Sequence, residues 1–203
     1  MGDRERQLRR EDLHDDPIRQ FVSWYELVQA EGVPFPEACA LATASRGGHP
    51  SARMVLMKHV DDRGFVFATS YASRKGRELA ENPRAALVFH WRPVGRQVRV
   101  EGAVRRLSAE ESDAYWATRP ARSRAAAAAS RQSEPLESLE ALEAEAERLL
   151  AEHGGEVPRP ERWGGYVLEP EAIELWQHRD DRLHQRVRYT RAREGWQVER
   201  LAP

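Results

Sequence analysis

Of the 32 basic side chains in the sequence, only two are lysines, Lys58 and Lys75. The planar fork of arginine cannot imitate a compact ammonium in a tight pocket. A chain that uses arginine elsewhere but keeps lysine at two positions therefore marks those positions for recognition of a point charge. Lys75 stands in Ser73-Arg74-Lys75, at the start of SRKGRELAENP (residues 73–83), which reads as a short helix capped by Ser73. The first turn of a helix leaves backbone N–H groups free. With a hydroxyl and two cations beside them, this is the composition of a phosphate-type anion site.

Two further groups repeat the theme. Tyr115, Arg119 and Ser123 recur at intervals of four, which predicts one helical face carrying a phenol, a guanidinium and a hydroxyl, a second phosphate clamp. In DRLHQR (residues 181–186) an extended backbone would put Arg182, His184 and Arg186 on one face, two fixed cations around an imidazole. On RMVLMK (residues 53–58) strand alternation sends Arg53 and Met57 to one side and Met54, Leu56 and Lys58 to the other, unless a bulge intervenes. Singly, each group also describes a solvated surface or a strand rim. Together, two anion clamps and a cationic rim in one short chain point to a phosphorylated substrate beside a phosphorylated cofactor.

Positioning these groups falls to a strand-rich chain. Residues 16–31 open with Asp and Pro and space Ile18, Phe21, Val22, Tyr25 and Val28 helically, which predicts an amphipathic helix. From residue 38 to about 107 the pattern changes to five short strands separated by Gly, Asp and Asn turns, interrupted only by the helix at 73–83. Turns this short favour antiparallel neighbours. Ser108 with Glu111 predicts a capping box, and helical signal then runs on, broken near Pro120 and resuming over residues 134–153 with Leu136, Leu139, Leu142, Ala146 and Leu149 on one face. After the loop GGEVPRPERWGG, strands return as GYVLEP, AIELWQ, HQRVRYTR and GWQVERL. The fold class expected is β-rich α+β, a closed or partly closed barrel with helices packed around it.

Composition narrows the function. At 203 residues the chain can bury one substantial core. A net charge of −1 supplies no global attraction to nucleic acid, and the longest nearly apolar run, residues 125–129, is far from the roughly 20 residues of a membrane span. The mixed charges of MGDRERQLRRED give no expectation of a secretory leader. The single cysteine, Cys39, cannot form an intrachain disulfide or a thiolate zinc cluster and reads as a small buried hydrophobe. No metal is expected, and since neither GxGxxG nor a P-loop is present, no Rossmann-type cofactor is expected either.

In order and spacing, RMVLMKH (53–59), FATSYASRKGRE (67–78), NPRAALVFHW (82–91), RQVRVEG (96–102), SRQS (130–133), WGG (163–165), ELWQ (174–177) and RLHQR (182–186) form a specific set. Over nearly the whole chain this set closely resembles the pyridoxine/pyridoxamine 5'-phosphate oxidase family, FMN-dependent enzymes of the split-barrel flavoprotein superfamily. The resemblance implies one FMN-binding split-barrel domain over residues 1–203, with residues 1–16 expected to be mobile. It also implies a cytoplasmic homodimer with its flavin sites at the interface.

By the same resemblance, Arg53, Met54, Val55, Leu56, Met57 and Lys58 line the FMN, with Arg53 and Lys75 at its phosphate and Arg74 nearby. Ala68 and Thr69 follow the ribityl chain, and Gln97, Gln132, Ser133, Trp176 and Arg186 complete the site, partly from the opposite subunit. Lys58, Tyr115, Arg119 and Ser123 hold the substrate phosphate, and Arg182 with His184 flanks the pyridine ring as the catalytic pair. The implied reaction is oxidation of pyridoxamine or pyridoxine 5'-phosphate to pyridoxal 5'-phosphate with O₂ as acceptor. The alternatives are a flavin oxidase acting on another ring, such as a phenazine precursor, and a flavin or pyridoxal phosphate binding protein with little turnover. The chain departs from the usual pattern at His178 and Arg179, where glycines are common, at Gln185, where Asp is common, and at the alanine run 125–129.

Overall fold

The computed structural model describes residues 8–203. Eight strands form one antiparallel sheet in the order β3-β2-β1-β4-β5-β6-β7-β8: β1 Ala38–Ala44, β2 Pro50–Asp61, β3 Gly64–Ser70, β4 Arg84–Trp91, β5 Arg96–Arg106, β6 Trp163–Gln177, β7 Gln185–Arg191 and β8 Trp196–Leu201. A further pairing of β3 with β6 closes the first six into a barrel, and β7 and β8 extend from the far half of β6. The expected helix-decorated barrel is therefore the observed one.

Closure depends on the length of β6. Its first part pairs with β3, from Trp163 opposite Ser70 to Leu168 opposite Phe65, and its last part pairs with β7, from Ala172 opposite Thr190 to Gln177 opposite Gln185. The turn signal at Pro170 predicts two strands over this stretch, but the structure has one. The strand is continuous because the register with β5 shifts there: Gly102 faces Pro170 and Glu101 faces Ala172, leaving Glu171 as a bulge. A proline without an N–H is tolerated where the ladder is already interrupted.

Helix α1, Pro17–Ala30, is capped by Asp16, whose carboxylate accepts from the Ile18 N–H, and it buries Ile18, Phe21, Trp24 and Val28 along one stripe. Phe21 is fully buried against Phe65, Phe89 and Trp91, with ring centroids 4.7, 5.0 and 5.8 Å away, so α1 seals the barrel core. Losing a ring of this kind to alanine costs about 3–5 kcal/mol. The other helices are α2 Arg74–Glu81, α3 Ala109–Ala117, α4 Ala121–Ala129 and α5 Leu139–Glu152, the last as long as α1. The capping box of Ser108 and Glu111 forms at α3, and α4 begins after Pro120.

The mobility expected of residues 1–16 falls in part on residues 1–7, which lie outside the described residues. Residues 8–16 are fastened to the last strands. The Leu8 N–H donates to Gln185 Oε1 at 2.6 Å, Arg200 Nη2 donates to the Leu8 carbonyl at 2.8 Å, and the Tyr189 hydroxyl donates to the His14 carbonyl at 2.8 Å.

Candidate active site

The first anion site is built where β3 runs into α2. Ser73 caps the helix by accepting from the Gly76 N–H, and Lys75 turns inward from the first turn. Its ammonium, on a residue only 7% exposed, touches neutral oxygens: Thr69 Oγ1 at 3.1 Å, Gln132 Oε1 at 3.2 Å and Ser73 Oγ at 3.4 Å. Burial, with Arg53 nearby, pushes Lys75 down to about 8. A buried cation met only by neutral groups is costly unless an anion completes it. The hydroxyl of Ser70, on the same strand end, is buried and has no partner among the described residues. These features fit the phosphate of FMN.

Arg53 is held beside this site by a residue that sequence reasoning missed. Glu78 accepts from Thr43, from Ser51 at 2.6 Å, from Arg74 Nε at 2.9 Å and from Arg53 Nη2 at 3.3 Å. Burial alone would raise its pKa, but the donors from Ser51, Thr43, Arg74 and Arg53 outweigh it and hold the carboxyl at about 2. Arg74, spaced four residues from Glu78, was the only visible hint. Thr43 and Ser51 reach it through the β1–β2 register, in which they face each other. Arg74 itself is mostly exposed and turned onto Glu78.

Along β2 the alternation expected of residues 53–58 ends in a bulge between Met57 and His59, which sets Lys58 apart from the ladder. The Met57 side chain lies in the core at 6% exposure, so only its backbone is available to a ligand; Val55 packs against the same core, and Met54 and Leu56 point outward. Ala68 and Thr69 face Gly165 and Gly164 across the barrel closure. Thr69 also donates to Gln132 at 2.9 Å, and Ser133 follows in a left-handed conformation, φ 75°.

The second clamp forms by a different route from the one its spacing suggested. Tyr115 lies in α3 and Ser123 in α4, with Arg119 in the turn between them, because Pro120 ends the helical run; no single helical face carries all three. They converge nonetheless. Arg119 donates to the Ser123 carbonyl at 2.8 Å and stacks over Trp163 at 4.6 Å and Trp116 at 5.2 Å. Tyr115 lies nearly parallel to Trp163 at 6.0 Å, and Lys58 Nζ lies 5.8 Å from the Tyr115 ring centre. Burial lowers the Arg119 pKa, and its Nε is buried with no partner among the described residues. Trp163 is the platform of the cluster, a role that spacing could not reveal. Because Trp163 pairs with Ser70, the two anion sites adjoin.

The cationic rim predicted at residues 181–186 does not form as an extended strand. Residues 178–184 form a loop, not an extended strand, and Arg182 has φ 66°, so Arg182, His184 and Arg186 do not alternate along one face. Arg186 begins its strand paired with Glu174, Nε to Oε1 at 2.8 Å and Nη2 to Oε2 at 3.1 Å, and so is not a free cation. The loop packs its rings at a tilt against the sheet: His184 lies 4.7 Å from Trp176 and 5.2 Å from His178. An open cleft of about 710 Å³ runs beside it, lined by His90, Arg92, Trp176, His178, Arg179 and Asp181 among others.

Gln97, Trp176 and Arg186 are register partners in one row across β5, β6 and β7. This row is remote from the phosphate end. Gly164, the partner of Thr69, and Trp176 are about 12 residues apart on β6, roughly 40 Å of extended chain.

The family described as pyridoxamine 5'-phosphate oxidase matches residues 28–152, and the pyridoxine 5'-phosphate oxidase C-terminal dimerisation region matches residues 163–203. The pyridoxine/pyridoxamine 5'-phosphate oxidase of Paraburkholderia phytofirmans is 52% identical over 194 residues, covering 95% of this chain and 91% of its own. That of Thermosynechococcus vestitus is 53% identical over 201 residues, covering 98% and 95%. Among solved structures, PhzG from Burkholderia lata, in complex with tetrahydrophenazine-1-carboxylic acid, has a TM-score of 0.92 at 40% identity with 95% of each chain covered. A pyridoxamine 5'-phosphate oxidase-related, FMN-binding protein from Nostoc punctiforme, 16% identical with a TM-score of 0.74 over 92% of this chain and 98% of its own, shares the fold.

Proposed function

Because the chain belongs to the pyridoxine/pyridoxamine 5'-phosphate oxidase family of FMN-binding split-barrel enzymes, we propose that it oxidises pyridoxamine and pyridoxine 5'-phosphate at C4' to pyridoxal 5'-phosphate. It is an FMN-dependent oxidase acting on a substrate of the pyridoxine-phosphate kind, and it is a homodimer. The amine consumes O₂ and water and gives ammonia and hydrogen peroxide; the alcohol consumes O₂ and gives hydrogen peroxide. FMN, when bound, would supply the two-electron acceptor that O₂ reoxidises.

The observation that carries this reading is the pair of adjoining anion sites, each with one of the two lysines. Lys75 and Arg53, with Thr69, Gln132 and Ser133, would hold the flavin phosphate and its chain, with Arg74 at the rim. Lys58, Tyr115, Arg119 and Ser123 would hold the substrate phosphate, whose binding energy is spent on orienting a ring some distance away. Gln97, Trp176 and Arg186 would come from the other subunit, which the β6 spacing supports. Arg182 and His184 would flank the pyridine ring as orienting and electrostatic groups, and no nucleophile is needed.

No helix among the described residues is long and apolar enough to cross a membrane, and we place the enzyme in the cytoplasm. A second reading, oxidation of a reduced tricyclic acid, is favoured by the likeness to PhzG. Aerobic turnover separates the two. Formation of pyridoxal 5'-phosphate with equimolar peroxide supports the proposal, whereas turnover of a reduced phenazine acid alone supports the second reading.

A further inference from the structure

The loop at residues 178–184 is closed on itself by bonds that meet at one carboxylate. Asp181 accepts from the Leu183 N–H at 3.0 Å and from the Arg179 side chain at both oxygens, Nε to Oδ1 at 3.0 Å and Nη2 to Oδ2 at 2.5 Å. The Arg182 N–H donates to the Arg179 carbonyl at 3.2 Å, and Arg182 sits at φ 66°, a conformation non-glycine residues hold only where the surroundings fix it. The loop entrance is pinned by the His178 N–H donating to the Gly95 carbonyl at 2.8 Å. The Arg179 main-chain N–H then donates to His184 Nδ1 at 3.2 Å. His178 leans on the same ring while its own Nε2 lies 3.2 Å from Asp180 Oδ1.

A backbone N–H can only donate, so Nδ1 of His184 must present its lone pair, and a neutral ring then carries its hydrogen on Nε2. An exposed ion pair such as Arg179 with Asp181 adds little to stability. Its consequence is local: it fixes where the Arg179 N–H points. We infer that Arg179 and Asp181 are positioning residues that hold His184 in the Nε2–H form, so that this imidazole meets the substrate ring as a hydrogen-bond donor. The inference rests on the reading that His184 faces that ring. It assigns Asp181 a part in the reaction although neither its side chain nor that of Arg179 need touch the substrate.

The test uses FMN-loaded enzyme labelled with ¹⁵N-histidine, with His184 read by two-bond ¹⁵N–¹H correlation under alkaline conditions and turnover of pyridoxamine 5'-phosphate measured alongside. The parent should show the Nε2–H form. Asp181→Ala should mix the two tautomers and lose about tenfold in kcat/KM with FMN content unchanged. Asp181→Asn, whose amide oxygen can keep both contacts that Asp181 Oδ1 makes, from the Leu183 N–H and from Arg179 Nε, should keep the Nε2–H form and stay within about threefold of the parent; mixed tautomers in it with parental kcat/KM would overturn the inference. Arg179→Ala probes the clamp from its other end should Asp181→Ala fail to fold, and should also mix the tautomers. Either alanine variant with the parental tautomer overturns the inference, whatever its rate. His184→Ala with parental kcat/KM would instead fault the placement of His184 at the ring, and the tautomer result, which needs no substrate, would stand apart from it.

Discussion

Lys75 carries a charge that the fold alone does not favour. Its ordinary value of 10.5 is pushed down to about 8 by burial and by Arg53. Between those values the unfolded chain holds a proton that the folded chain has released, so stability rises with pH across that window, and the cost of the buried charge is fully present below about 8. A phosphate dianion beside the amine reverses the preference. FMN binding should therefore take up a proton above about pH 8 and weaken as pH rises further. Titration of FMN by fluorescence from about pH 7 to pH 9.5 should show that decline in the parent. Lys75→Met should bind about thirtyfold more weakly at neutral pH, with little pH dependence. Equal affinities at neutral pH would remove Lys75 from the phosphate. Arg119→Ala should raise KM for pyridoxamine 5'-phosphate by about thirtyfold, or about 2 kcal/mol, while FMN binding and turnover of unphosphorylated pyridoxamine barely change. Equal damage to both substrates would make Arg119 structural. Lys75 was legible as a residue type against an arginine background, and Arg119 through its spacing from Tyr115 and Ser123. Glu78 and Trp163 were not, because their partners arrive through strand register.

The short elements owe their precision to close approaches. A Cβ on Gly76 would lie 2.2 Å from the Tyr71 carbonyl oxygen and 2.8 Å from that of Ser70, so the first turn of α2 is pressed against the end of β3. Gly76→Ala should destabilise the protein by about 1–3 kcal/mol through overpacking. It should also weaken FMN binding, because Lys75 moves with that turn; an unchanged Tm and unchanged affinity would contradict this. The five strands before residue 107, their antiparallel pairing and the caps at Asp16, Ser73 and Ser108 were legible, since hydrophobic period and cap chemistry are local properties. Three features were not. The break near Pro120 was expected, but the spacing of Tyr115, Arg119 and Ser123 presented one face where two helices instead converge on Trp163 through tertiary packing. Pro170 sits in a bulge and leaves β6 whole. Asp181 draws residues 178–184 into a turn through its own side chain, although consecutive aspartates before a left-handed arginine are a local turn signal.

A single barrel has its phosphate end and its Trp176 row at opposite ends of β6, so on the proposed reading each flavin site draws on two chains. The outward face of β2 carries Met54 at 65% and Leu56 at 42% exposure, large apolar groups next to Arg53 and Lys58. Leu56→Asp should shift the dimer toward monomer in sedimentation and weaken FMN binding with it, because each flavin would lose the partner's contribution. A monomeric variant with parental FMN affinity would place the whole site in one chain. The C-terminal strands match a dimerisation region, so both effects belong to the assembly, not to one domain. The decisive observation is flavin reduction without oxygen. Mixed anaerobically in stopped flow with pyridoxamine 5'-phosphate, the FMN-loaded dimer should lose its oxidised flavin absorbance in a single turnover and yield one pyridoxal 5'-phosphate per flavin. A dimer that binds FMN but is reduced by neither pyridoxamine nor pyridoxine 5'-phosphate would contradict the assignment.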